Sequence, residues 1–244
     1  MRRCALEYLW NMFPTSLNYR QRVPTLVDDC YSEHPILFYK PHVLLTLLFL
    51  SKEYQLVAIL PLLYYYIAQW PLDWITKGVP ADCMEYGHTT VSGDHRFPLP
   101  RKHAIIVLAG REKLIRMRET KVFSFMEGFT SNGVTLDTPT QGCDGAKRSE
   151  TGETCFEWLM RVWFFMSRFG FFARPSALEV MNMGQWKELQ KNCCEECGLR
   201  VMEHMLDGRD DVWKAIPDAF GYHTWDFVVG QQKTIEQDFE AVIR

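Results

Sequence analysis

Between Ile36 and Trp70 the chain is almost continuously apolar, yet Lys40, Lys52, Glu53 and Gln55 cut the run into pieces. No piece approaches the ~20 apolar residues that a bilayer-crossing helix needs. Greasy segments of this length must be covered by protein, which makes them buried helices. In the first, opened by His34-Pro35, Leu44, Leu45, Leu47, Leu48 and Phe49 are apolar nearly all round. Leu56 to Trp70 is the second, with Pro61 best placed in its first turn, where a missing N–H costs little. Ser51 to Gln55 is the polar break, so the two are expected to pack as an antiparallel hairpin.

Helical spacing recurs along the rest of the chain. Leu6, Leu9, Trp10 and Phe13 share one face of a segment that Pro14 ends, and Pro71 to Ile75 adds a short turn. Lys77 to Pro100 has the Gly, Pro, Ser and Asp content of a surface loop. Arg101 to Met126 reads as a long helix, Gly128 to Gly152 as irregular, and Cys155 to Phe172 as an apolar helix stopped by Arg174-Pro175. A short piece around Trp186 leads to a helix running from Cys193 through Val201, Met205 and Val212 to Trp213. No alternating run is long enough to build a sheet. The expected fold class is all-α, an irregular helical bundle with long loops and a small Cys-rich zinc site. The expected divisions are a helical hairpin subdomain over 1–77, a loop over 78–99, a helical subdomain with the Cys-rich segment over 100–230, and a tail or short helix over 231–244.

With 47% hydrophobic and 14% aromatic residues, 244 residues suffice for one sizeable core or two small ones. The 27 basic residues are outnumbered by 30 acidic ones, which leaves no excess to neutralise a phosphate backbone, so nucleic acid is not expected as a partner. Arg2-Arg3 would suit a secretory leader, but Glu7 and Asn11 interrupt the apolar stretch that should follow. An intracellular protein, in cytoplasm or nucleus and not in a membrane, is expected, and its eight cysteines should be thiols or metal ligands rather than a disulfide framework. Arg111, Lys113, Arg116, Arg118 and Lys121, balanced by Glu112 and Glu119, read as a solvated helix face. The aromatic run Trp158, Trp163, Phe164, Phe165, Phe169, Phe171 and Phe172 reads as core, the alternative being an exposed patch for a partner.

Cys194-x-x-Cys197 at a helix start lets two sulfurs point at one ion, and Cys143 and Cys155 could complete a tetrahedral zinc site. Eleven residues separate that second pair, which is loose for a knuckle, so a reduced pair capping the helix and a redox role stay open beside structural zinc. Cys193 and His204 are the nearest substitutes. For catalysis, only Cys83 with His88, His95 or His103 offers a nucleophile and a base, and none falls in a motif that would orient them. Neither a His-Glu-x-x-His helix nor a phosphate-cradling glycine loop is present. The expected function is therefore protein binding without enzymatic activity, with a Cys83 enzyme as the rival.

Three stretches carry a resemblance: Ala5 to Leu9 with Phe13 to Leu17; Leu50 to Tyr54 with Ile59 to Tyr65; and Gly208 to Lys214 with Ile216 to Gly221. Together they resemble the helical region that follows the BTB/POZ fold in the BTB-domain family of mushroom-forming fungi. The likeness covers nearly the whole chain in order, including a cysteine in the irregular segment, another before an aromatic helix and a late Cys-x-x-Cys. It implies protein interaction with partners of unknown identity and no established enzymatic activity. The BTB fold itself is missing, so its dimerisation does not carry over, and the chain is expected to be either a truncated product or a paralogue that has shed that half. On the second reading, Leu6, Leu9, Trp10 and Phe13 should be exposed as an interaction face. The resemblance and the spacing jointly nominate Cys143, Cys155, Cys194 and Cys197 as a closed Cys4 site.

Overall fold

The structure, a computed structural model, describes Leu9, Phe13, Thr15, residues 40–83, 95–124, Cys143, and residues 152–171, 173–178 and 183–243. Among these it is all-α apart from one minimal ladder, and it divides into two compact units. One takes the described residues up to Lys113 and from Lys214 onward, the other Leu114–Trp213.

The first unit opens with α1 (Pro41–Glu53), a 3-10 turn (Val57–Ile59), α2 (Leu60–Ala68) and α3 (Leu72–Lys77). Pro61 does sit in the first turn of α2, and α1 packs against α2 as a hairpin. Both helices are buried on several sides: Leu44, Leu48, Leu62, Leu63 and Ile67 are closed to solvent. Strands β1 (Val79–Pro80) and β2 (Arg96–Phe97) pair antiparallel, Val79 opposite Phe97 and Pro80 opposite Arg96. Next comes α4 (Arg101–Met117), and the chain ends in α8 (Trp225–Ile243). That last helix is where a tail or short helix over 231–244 was expected. It is 19 residues long and packs on the 3-10 turn, where the buried Gln232 accepts hydrogen bonds from the Val57 and Ala58 N–H groups at 2.8 and 3.4 Å.

The second unit continues α4 into a π-helical turn (Arg118–Val122), then α5 (Cys155–Arg168), α6 (Met183–Asn192) and α7 (Glu195–Ala219), the division falling inside α4 and α7. Its core includes Leu114, Val122, Phe123, Leu159, Leu189, Val201, Met205 and Val212. The expected boundary over 78–99 is thus displaced: the described part of that loop lies within the first unit, because its strands pair there and α8 brings the C-terminus back.

The basic stripe also differs from expectation. Lys113, Arg116 and Lys121 are solvated, but the Arg111 guanidinium donates to the Ala68 and Trp70 carbonyls, the latter at 2.9 Å. Arg118 is fully buried, donating to Ser176 Oγ at 2.6 Å with its guanidinium 4.2 Å above the Phe171 ring. A planar guanidinium can stack on an aromatic face and donate from its edge at once, a geometry that a lysine does not offer.

Candidate metal centre

Local sequence places three of the four clustered cysteines, Cys155, Cys194 and Cys197. Thr154 caps α5 reciprocally with Glu157: the Glu157 N–H donates to Thr154 Oγ1 at 3.3 Å, and the Thr154 N–H to Glu157 Oε2 at 2.8 Å. This Thr-x-x-Glu box pins the first turn of the helix and so places Cys155, its first residue. Asn192 closes α6 by donating its amide to the Glu188 carbonyl at 2.8 Å, and only Cys193 and Cys194 separate that end from the start of α7. The Cys194 sulfur caps α7, accepting from the Cys197 N–H at 3.5 Å. In turn the Cys194 N–H donates to Cys155 Sγ at 3.2 Å, joining the start of α5 to the α6–α7 link.

These constraints bring Cys155, Cys194 and Cys197 together, and Cys143 joins them, the four sulfurs all lying within 4.8 Å of one another. Cys143 Sγ and Cys194 Sγ are 3.7 Å apart. Bonds of ~2.3 Å in a tetrahedron separate ligand sulfurs by ~3.8 Å, so the spacing suits one enclosed ion. Cys155 and Cys197 are buried, while Cys143 and Cys194 are half-buried. The N–H groups aimed at two of the sulfurs are the outer contacts that orient thiolates and lower their basicity. Four cysteines so placed could hold a metal ion.

The protonation pattern follows the same geometry. Burial pushes the Cys155 and Cys197 thiols up, as it does for Cys193 beside them. Burial also acts upward on Cys194, but the Cys197 backbone N–H and the neighbouring thiols outweigh it and hold Cys194 below the ordinary thiol range. A cation entering the cluster must therefore displace protons from buried sulfurs. Of the expected substitutes, Cys193 is buried next to the cluster but is not among the four convergent sulfurs, and His204 is exposed on α7.

The expected interaction face is only partly described. Leu6 and Trp10 lie outside the described residues. Leu9 is half-buried, and its carbonyl accepts from the Phe13 N–H at 2.9 Å. The expectation that Phe13 is exposed is wrong: its side chain is 1% exposed, packed edge-on against Tyr66 with ring centroids 6.3 Å apart. The core reading of the aromatic run also needs correction. Trp158 is buried, but Phe164 and Phe165 on α5 and Phe169 at its C-cap are 57%, 54% and 71% exposed, and Phe165 stacks on Phe169 at 5.9 Å. Beside them Trp158, Val162, Phe165 and Met166 of α5 and Glu188 and Lys191 of α6 line a groove of about 440 Å³. Seven aromatics crowd that stretch, so their spacing does not show which side faces water.

For the rival reading, Cys83 is half-buried in a 3-10 turn and His95 is exposed. His103 Nδ1 is engaged by the Tyr64 hydroxyl at 2.6 Å, and His88 lies outside the described residues. Neither the α5–α6 groove nor the cavity of about 250 Å³ beside Phe13 and Gln232 is lined by Cys83, His95 or His103. Among the described residues no helix is long and apolar enough to cross a membrane. Compared with known protein families, curated proteins and solved structures, the chain gives no match.

Proposed function

We propose that this chain is a non-enzymatic protein-interaction module, an adaptor or scaffold of the kind implied by its resemblance to the helices that follow the BTB/POZ fold in fungal proteins. The observation that carries the reading is the exposed aromatic row Phe164, Phe165 and Phe169 next to the α5–α6 groove. Large apolar side chains grouped in water are costly unless a partner covers them. That partner is a protein, since Glu195, Glu196, Glu203 and Asp207 put acid where a nucleic acid would meet the Cys-rich helix. The metal of the Cys4 cluster is zinc in a structural role. Four thiolates complete a tetrahedron and leave no open position for a substrate. Such a site needs a reducing compartment, cytoplasm or nucleus.

Affinity capture after crosslinking, comparing the natural chain with a Phe165→Glu, Phe169→Glu double variant, tests the interaction surface. The variant should lose a defined set of partners while its circular dichroism is unchanged. An unchanged partner set would overturn the assignment. Elemental analysis tests the metal: about one zinc per chain is expected, lost in Cys194→Ser and kept in Cys83→Ser. Metal-free protein of unchanged stability would overturn that part.

A further inference from the structure

We propose that Cys143 and Cys194 are a peroxide-responsive dithiol within the Cys4 cluster, closing to a disulfide that expels the metal. The dithiol stands on geometry alone, while the metal-release half rests on the zinc reading above.

Disulfide formation by an aqueous oxidant needs two sulfurs in contact and access to at least one of them. Five described cysteines of the second unit are candidates, and only one pair among them combines close sulfurs with access to both. Cys155, Cys193 and Cys197 are 1%, 0% and 2% exposed, closed to a hydroperoxide. Cys143 and Cys194 are both half-buried, and their sulfurs are 3.7 Å apart. A disulfide bond of ~2.05 Å requires an approach of less than 2 Å. The buried pair is also held in place: Cys155 is the first residue of the capped helix α5 and accepts the Cys194 N–H, and Cys197 lies inside the first turn of α7. Cys194 precedes that helix, and its sulfur faces Cys143 from the cap position.

The chemistry balances with a hydroperoxide as oxidant. The Cys194 sulfur attacks the terminal peroxide oxygen, the O–O bond breaks, and Cys194 sulfenic acid forms as the alkoxide leaves and takes a proton. The Cys143 sulfur then attacks the Cys194 sulfur, forming the S–S bond and expelling hydroxide, which takes a second proton to become water. Two electrons pass from the sulfur pair to the peroxide, giving one disulfide, one alcohol (water in the case of hydrogen peroxide) and one water. A bound ion would be left with Cys155 and Cys197 alone, two of its four donors. The metal and the disulfide join the same two residues, 51 positions apart in sequence, so oxidation exchanges one cross-link for another. The helices should survive the loss of the ion.

The test uses the full chain, zinc-loaded, with stoichiometric hydrogen peroxide. Released zinc is followed with a chromogenic chelator, and non-reducing peptide maps are read by tandem fragmentation, which separates Cys193 from Cys194. The expected result is one Cys143–Cys194 link per zinc released, with unchanged helical circular dichroism and full reversal by dithiothreitol. In the reduced, metal-free protein, Cys143→Ser should leave Cys194 as a sulfenic acid that dimedone traps instead of a link, since its resolving thiol is gone. A Cys194–Cys197 link, a link to Cys83, or overoxidation of Cys194 without any link would overturn the proposal. If the chain proves to bind no zinc, the zinc reading fails by itself, and the same map on the reduced, metal-free protein decides the dithiol.

Discussion

Gly208 is a position where the missing side chain sets a contact. It sits inside α7, where glycine costs about 1 kcal/mol relative to alanine. A Cβ there would overlap the Lys121 carbonyl of the π-helical turn and approach Val122 Cα to 2.7 Å, and backbone cannot swing aside as a side-chain tip can. Gly208→Ala should therefore destabilise the protein by about 3 kcal/mol, the upper end of overpacking costs, seen as a lower urea midpoint. Gly198, in the first turns of the same helix with open space around it, predicts the opposite: Gly198→Ala should stabilise by about 0.5–1 kcal/mol. Equal effects at both sites would show that propensity and not contact decides. The sequence exposes the glycine but not the backbone that approaches it. The ligands divide along the same line. Cys194 and Cys197 were legible because three residues set their spacing, whereas the return of Cys143 to Cys155 depends on a fold-back that no local pattern encodes. Phe13 was misread because its helical face is plain in the sequence and the Tyr66 ring covering it is not.

At the scale of elements, the sequence was clearest where two apolar helices join across a short polar break. The α1–α2 hairpin and the placement of Pro61 follow from local spacing and proline chemistry. The exposure of α5 does not, because an aromatic run reads alike whether water or protein covers it. One helix contact makes stability depend on pH. Tyr64 of α2 is buried, its hydroxyl 2.6 Å from His103 Nδ1 on α4, with the Tyr222 ring stacked on the tyrosine at 6.4 Å. Burial, then Lys102 and Lys52, hold the imidazole below its ordinary range. The unfolded chain therefore takes up this proton first as pH falls. The contribution of neutral His103 is complete above its unfolded pKa of about 6.5 and is lost progressively below it. The thermal midpoint should fall between pH 7.5 and 5.5, and His103→Gln should flatten that decline relative to the natural chain. Parallel profiles for the two proteins would remove His103 from the explanation.

For the whole molecule, the chain leaves its first unit inside α4 and returns to it inside α7, so the second unit is an insertion bounded by helices. A sequential reading placed the boundary in the loop over 78–99, because glycine and proline content marks a loop without saying which contacts reunite its flanks. The return of α8 to the turn at Val57 is a contact across 175 positions, beyond any local signal. The Cys4 cluster lies wholly within the insertion, which localises what metal removal can do. A ligand that binds only the folded state stabilises it by about 2.7 kcal/mol at a hundred times its Kd. Chelating the metal should therefore speed amide exchange about a hundredfold in Cys155–Arg168 and in the part of α7 up to Trp213, for a site previously held at that saturation. Exchange in Pro41–Glu53 and Trp225–Ile243 should change far less, because no cluster sulfur belongs to that unit. Hydrogen exchange read by mass spectrometry, with and without chelator, resolves these segments. Acceleration of equal size in both units would make the site a support of the whole chain, and no acceleration in either would remove the metal from the account of its stability.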